Sequence, residues 1–351
     1  MTLDRVVVVG ASGNIGTSVL EALAADPEVG SIVGVARRQP SLTMPKTRWH
    51  TADVSTDDLS EVVRGADVVI HLAWLFQPTH SPLTTWRANV LGSLRVFDAV
   101  AAAGVPALVY SSSVGAYSPG PKDRGVDESW PTHGWPEAAY TREKAYLERV
   151  LDAFEPANPG VRLVRIRPGF VFKRESASEQ RRLFAGPLLP TRLVRPGAVP
   201  VIPDLPGLRF QALHSTDAAE AFRLATVRPV SGAFNIAADP VVDAALLADC
   251  LNARVVSMPA APVRAVLSAA WRLHLVPATP GLFDAVLRLP IMDTARARGE
   301  LGWTPRHSSR EAIAEFLRGL REGAGMATPP LAARAPGGRL RQVATRIGHR
   351  R

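Results

Sequence analysis

The chain has 351 residues, 46% apolar and 21% charged, enough for one large core or two. A single cysteine, Cys250, excludes an intrachain disulfide framework and a thiolate-rich zinc site, and suits a reducing compartment, the cytoplasm. Most of the +9 net charge is confined to residues 323–351, where six arginines stand without one acid, so the body is close to neutral and nucleic acid is a disfavoured partner.

In chain order, Val6–Val9 is a short β-branched run that predicts a strand starting near Met1, with no room for a secretory leader. It runs directly into Gly10-Ala-Ser-Gly13-Asn-Ile-Gly16, which opens a helix over Ile15–Ala24. Glycines at this spacing, between a strand and a helix, form a phosphate-binding turn. Gly10 makes the tight turn, Gly13 lets backbone approach a pyrophosphate, and Gly16 permits close helix packing, with Ser12, Asn14 and Ile15 between them. A second strand, Ser31–Val35, ends in Ala36-Arg37-Arg38. An acid at that tip would bind ribose hydroxyls, whereas Arg37 or Arg38 would accept a 2′-phosphate, so NADP is favoured over NAD.

Further strands are expected over Asp67–Leu72, Ala107–Ser111 and Arg162–Arg167, separated by helices over Leu91–Ala103 and Pro136–Phe154. This alternation predicts an α/β fold, a Rossmann-type doubly wound parallel sheet across residues 1–172. Residues 173–322 are expected to form mainly a smaller, mixed substrate-binding domain, with the strands near 208–237 returning to the sheet. Residues 323–351 read as a disordered basic tail. The apolar stretch 263–287 is interrupted by charges and prolines, so no membrane span is expected. Eight scattered histidines show no ligand spacing, and no metal site is expected.

Tyr140 and Lys144 stand four residues apart in Ala-Tyr-Thr-Arg-Glu-Lys, a spacing that puts phenol and ammonium on one helix face. Both types are scarce, at four tyrosines and four lysines in the chain. A phenol is a poor base near neutral pH unless a nearby positive charge favours its phenolate.

With the glycine turn and the Tyr140–Lys144 pair, the chain resembles the extended short-chain dehydrogenase/reductase family, also called the NAD-dependent epimerase/dehydratase family. The resemblance covers about residues 4–320. It takes in Asp53-Val54, His71-Leu72-Ala73, Asn89 in Ala-Asn-Val, Ser113 in Ser-Ser-Ser-Val, Arg167-Pro168-Gly169, His214-Ser-Thr-Asp217 and Leu301-Gly-Trp-Thr-Pro305. It implies Asp53, Val54, Leu72, Ala73 and Pro168 beside the cofactor and Tyr140 as general acid/base. Lys144 would lower the tyrosine pKa and hold the nicotinamide ribose. Ser113, with Ser111 and Ser112 as alternatives, would bind the reacting oxygen, and Asn89 would order a proton relay.

Two departures concern the substrate. Where sugar-nucleotide members often carry an Arg-Asp pair this chain has Phe210-Gln211, and Phe172-Lys173-Arg174 replaces a frequent Gly-Pro. The basic segment Lys173–Arg182 could meet an anionic substrate or be a solvated face. The resulting expectation is an NAD(P)-dependent oxidoreductase acting on a secondary alcohol, ketone or aldehyde of a small molecule. The alternatives are a nucleotide-sugar epimerase or dehydratase with retained cofactor, and a non-catalytic cofactor sensor. A homodimer is the candidate assembly.

Overall fold

Four consecutive valines, Val6 to Val9, carry no polar alternation, which is the pattern of a strand covered on both faces. In a computed structural model, which describes residues 2–334 except Pro78, Leu188, Pro190, Arg192 and Leu193, this run lies at the centre of a parallel sheet. The strands are β1 (Leu3–Val9), β2 (Val29–Ala36), β3 (Thr47–Thr51), β4 (Val68–His71), β5 (Ala107–Ser111), β6 (Arg162–Pro168) and β7 (Gly232–Ile236). Their spatial order is β7-β6-β5-β4-β1-β2-β3. Every pairing in the sheet is parallel.

The pleat divides β1 between two cores. Val6 and Val8 pack with helix α1 (Asn14–Ala25) and with Ala218 and Phe222, while Val7 and Val9 pack with Val96, Phe97 and Leu147. The second core is supplied by α2 (Gly92–Ala102) and α3 (Ala139–Ala157), and the first is completed by α4 (Ser215–Val227) against α1. Strand order reverses between β1 and β4, so a crevice opens beyond their carboxyl ends.

The expected elements recur with shifted ends. Helix α3 starts at Ala139 rather than Pro136, because Thr141 Oγ1 donates to the carbonyls of Trp135 and Ala138 and holds the preceding turn outside the helix. Strand β3, Thr-Arg-Trp-His-Thr, had no apolar run to announce it. It is a largely exposed sheet edge that needs no such run.

Of the expected return strands, Gly232–Ile236 joins the main sheet as β7, whereas Ala212–His214 pairs separately with Phe170–Phe172. Residues 241–287 hold the helices Ala244–Leu251, Ala260–Arg272 and Pro280–Val286 and also a strand, Arg254–Ser257, paired with Val201–Asp204. Asp217 explains part of the C-terminal packing: its carboxylate accepts the backbone N–H groups of Arg306 and His307 at 3.0 and 2.9 Å.

The expected tail divides. Residues 323–334 return to the body, where Thr328 and Leu331 are buried and the Arg182 guanidinium donates to Pro330 O and Ala332 O at 2.7 Å each. Residues 335–351, with five of the six tail arginines, lie outside the described residues. Among the described residues no helix is long and apolar enough to cross a membrane, and no cluster of His, Cys, Asp or Glu could hold a metal ion.

Candidate active site

The glycine turn is built as close approaches. Gly10 has φ of +88°, and a Cβ there would lie 2.5 Å from the backbone nitrogen of Ala73. A Cβ on Gly16 would lie 2.4 Å from Gly10 O, so the first turn of α1 can sit against the loop only without a side chain. Gly13 differs. Its Cβ would meet nothing nearer than Gly10 O at 3.6 Å, so the space above it belongs to the cleft and not to protein packing. Gly13 is also the N-cap of α1 and offers no capping side chain, which leaves the helix N–H groups directed at the cleft.

That cleft opens beyond the carboxyl ends of β1, β2 and β4. Gly10, Ser12 and Gly13 form its floor, Arg37 and Arg38 stand at the end of β2, Asp53 and Val54 follow β3, and Leu72 and Ala73 follow β4. Asn14 is turned to the protein and donates to Val171 O at 3.0 Å, Ile15 packs on the core, and Pro168 is buried at the end of β6. A cradle closed to side chains at Gly10 and Gly16 but open above Gly13 fits a dinucleotide pyrophosphate.

The cleft residues that escaped the sequence reading include Glu179, Pro329 and Pro330. The prolines sit in a stretch whose composition resembles a tail, and only the Arg182 clamp reveals their place.

Tyr140 and Lys144 lie near the start of α3. The Tyr140 ring is stacked on Phe76 at 5.2 Å and meets Trp74 edge-on at 5.6 Å. The turn at Val114–Ala116 closes the other side. A Cβ on Gly115 would lie 2.7 Å from Tyr140 Cε1, so glycine is required there by the tyrosine itself. Gly115→Ala is therefore expected to displace the phenol and lower kcat about a hundredfold while leaving the cofactor Kd unchanged. Steady-state kinetics together with cofactor titration checks both halves.

Burial pushes the Tyr140 phenol up to about 12, opposed by a hydrogen bond with Ser113. In this arrangement Tyr140 is the acid form. Ser113 Oγ also accepts the Gly115 N–H at 2.9 Å, which fixes its rotamer. Of the two alternative serines, Ser112 is committed elsewhere, its Oγ donating to Glu148 at 2.5 Å, and the Ser111 backbone carbonyl accepts from Lys144 Nζ at 2.6 Å.

Lys144 Nζ lies 3.6 Å over the Trp74 ring and 3.5 Å from the Tyr110 hydroxyl. Burial lowers its ammonium to about 7, against the attraction of Glu148 and Glu143. No lowering of the Tyr140 pKa by Lys144 is evident in this geometry; burial governs both groups.

Asn89 occupies a π-helical turn, Arg87–Leu91, leading into α2. Its side chain is fully engaged. Oδ1 accepts Leu75 N–H at 2.7 Å, and Nδ2 donates to Leu75 O at 2.9 Å and to Glu143 Oε2 at 2.7 Å. Asn89 thus clamps the segment that carries Trp74 and Phe76 against Tyr140. Glu143, inside the Tyr140–Lys144 spacing but not singled out by it, is buried and also accepts from Thr85 Oγ1 at 2.7 Å. Burial raises its carboxyl, opposed by the Asn89 and Thr85 hydrogen bonds.

Beyond Tyr140 a second, smaller cavity opens, and Trp74 and Leu75 line both spaces.

The family model for the NAD dependent epimerase/dehydratase family matches residues 6–237. The chain belongs to that family. It is accordingly an enzyme of the extended short-chain dehydrogenase/reductase type.

Among relatives of this family member, an uncharacterized protein of Mycobacterium tuberculosis is 25% identical over 327 residues, covering 90% of this chain and 83% of that protein. The sterol-4-alpha-carboxylate 3-dehydrogenase, decarboxylating, of Saccharomyces cerevisiae is 29% identical over 184 residues, 48% of this chain and 52% of that one. UDP-glucose 4-epimerase of Thermus thermophilus, solved with NAD, superposes with a TM-score of 0.66 at 19% identity, covering 90% of this chain and 99% of that one. MoeE5 in complex with UDP-glucuronic acid and NAD gives 0.67 at 21%, covering 91% and 99%. These two likenesses establish the fold.

Proposed function

We propose that the enzyme is an NAD(P)-dependent oxidoreductase that transfers a hydride at a secondary alcohol, ketone or aldehyde of a small molecule. One observation carries this reading: Tyr140 lines a cavity walled by Trp74, Phe76 and Phe184, and Trp74 and Leu75 line both that cavity and the cleft at the glycine turn.

The residues divide the work. Gly10, Gly13 and the N-terminus of α1 would hold the dinucleotide phosphates, Asp53 and Val54 would flank the adenine end, Leu72 and Ala73 line the cleft, and Trp74 and Leu75 form the wall shared by the two spaces. The bound nicotinamide supplies or accepts the hydride. Ser113 orients the carbonyl oxygen of the substrate by a hydrogen bond, and Tyr140 gives that oxygen its proton as charge develops on it. In the reverse direction the same oxygen loses its proton to Tyr140. Lys144, buried near Tyr140 with its Nζ over the Trp74 ring, would hold the ribose hydroxyls of the cofactor. Trp74, Phe76 and the Asn89 clamp exclude water from the reacting oxygen.

NADP is the preferred cofactor in this reading, because Arg37 and Arg38 border the cleft and among the described residues neither has an ion-pair partner. A phosphate bound by two guanidinium groups should give NADPH a KM lower than that of NADH by roughly ten- to a hundredfold. Equal or reversed KM values would refute this preference.

The function itself is tested by following reduced nicotinamide absorbance with ketones, aldehydes and nucleotide sugars. Consumption of many equivalents of NAD(P)H per enzyme supports the oxidoreductase. Conversion of a nucleotide sugar with no net cofactor consumption contradicts it and establishes the epimerase or dehydratase alternative. The single thiol and the absence of a spanning helix among the described residues support a cytoplasmic setting.

A further inference from the structure

The cavity beyond Tyr140 has the chemistry of an apolar binding site. Its walls are Trp74, Phe76, Leu183, Phe184, Pro277 and Leu282, with Phe184 edge-on to Phe76 at 5.6 Å. No lysine or arginine lines it among the described residues, and its one ionisable carboxyl, Glu143, already accepts from Thr85 and Asn89.

The basic segment nearby is committed to the fold. Lys173 Nζ donates to Thr17 and Ser18 hydroxyls at 2.7 and 3.0 Å, and Arg174 is paired with Glu322 at 2.7 Å. Arg181 donates to Gly186 O at 2.9 Å, and Arg182 holds the carbonyls of Pro330 and Ala332. Arg209, immediately before the Phe210-Gln211 that replaces the Arg-Asp pair, is exposed at the surface. A diphosphate entering here would lose its hydration and find a buried carboxyl instead of a guanidinium.

We infer that the substrate is a neutral, predominantly apolar alcohol or ketone, and that nucleotide-diphosphate sugars are excluded from this site. The inference rests on the oxidoreductase reading for its carbonyl chemistry, but the walls define the class by themselves. Gly281 shows that the enclosure is built. A Cβ on it would lie 2.3 Å from Glu137 O, so the helix Pro280–Val286 closes directly onto the approach to α3.

The test uses the full chain with NADPH or NADH, a series of neutral ketones of increasing alkyl length, and UDP-glucose. Binding is read by tryptophan fluorescence and turnover by nicotinamide absorbance. Affinity should rise about fourfold per added methylene until the cavity is filled. UDP-glucose should neither bind nor turn over, and Phe184→Ala should weaken the longer ketones roughly tenfold while affecting the shortest much less.

A flat series in the wild-type chain, or UDP-glucose bound more tightly than every ketone, overturns the inference. Chain-length-dependent binding without any turnover supports the substrate class and defeats the oxidoreductase reading. Turnover of UDP-glucose in preference to the ketones defeats the class alone.

Discussion

Tyr140→Phe is expected to lower kcat by roughly a hundred- to ten-thousandfold, the usual contribution of a positioned acid or base, with the cofactor Kd unchanged. The variant isolates chemistry from packing. Phenylalanine keeps the ring between Phe76, Trp74 and the Gly115 turn, and loses only the hydroxyl bonded to Ser113. A hydroxyl that served merely to satisfy Ser113 would leave kcat within about threefold of the parent, well short of a general-acid effect. Measuring kcat and the cofactor Kd on the same preparation distinguishes these results, and circular dichroism shows that the fold is retained.

The second large effect concerns stability. Glu148 is buried on α3 and accepts from Arg167 Nε and Nη2 at 2.9 Å each, from Arg165 at 3.1 Å and from Ser112. Burial alone would raise its carboxyl, but the Arg167 hydrogen bonds and charge, with Ser112 and Arg165, bring it down to about 2. Removing the carboxylate strands Arg167, itself buried and bonded to Tyr117 at 2.9 Å.

Glu148→Ala should therefore destabilise the fold by about 3–5 kcal/mol at neutral pH. The sign with pH follows from the depressed value. The contribution is full above the ordinary carboxylate range and is lost as pH falls through about 2, so the two chains converge in acid. Urea midpoints across pH test this. Equal midpoints at neutral pH would contradict the role assigned to Glu148.

Much of the fold was legible because it depends on local patterns. The valine run of β1, the apolar strand Ala107–Ser111 and the glycine turn each announce themselves within a few residues. The four-residue spacing of Tyr140 and Lys144 was equally local. What escaped depends on contacts between distant segments. Gly115 matters only because the ring of Tyr140 lies against it, and Glu143 only because Thr85 and Asn89 converge on it.

Pro329 and Pro330 read as tail by composition, yet Arg182 ties them to the cleft from 148 residues away in sequence. The basic segment 173–182 could be read as an anion site or a solvated face. Lys173 and Arg182 turn out to be largely buried cross-links, an outcome set by tertiary partners that no window of sequence contains.

The central claim is that a hydride passes between nicotinamide and a carbonyl carbon held at Tyr140. The most direct measurement uses NADPH deuterated at the transferring position of C4, with the best-bound neutral ketone of the series, and locates the label by mass spectrometry. One deuterium at the carbinol carbon of the alcohol for each NADPH oxidised is the result expected, with no alcohol formed by Tyr140→Phe above the loss already stated. Oxidised cofactor with no label in the product, or product formed at the parental rate by Tyr140→Phe, would contradict it.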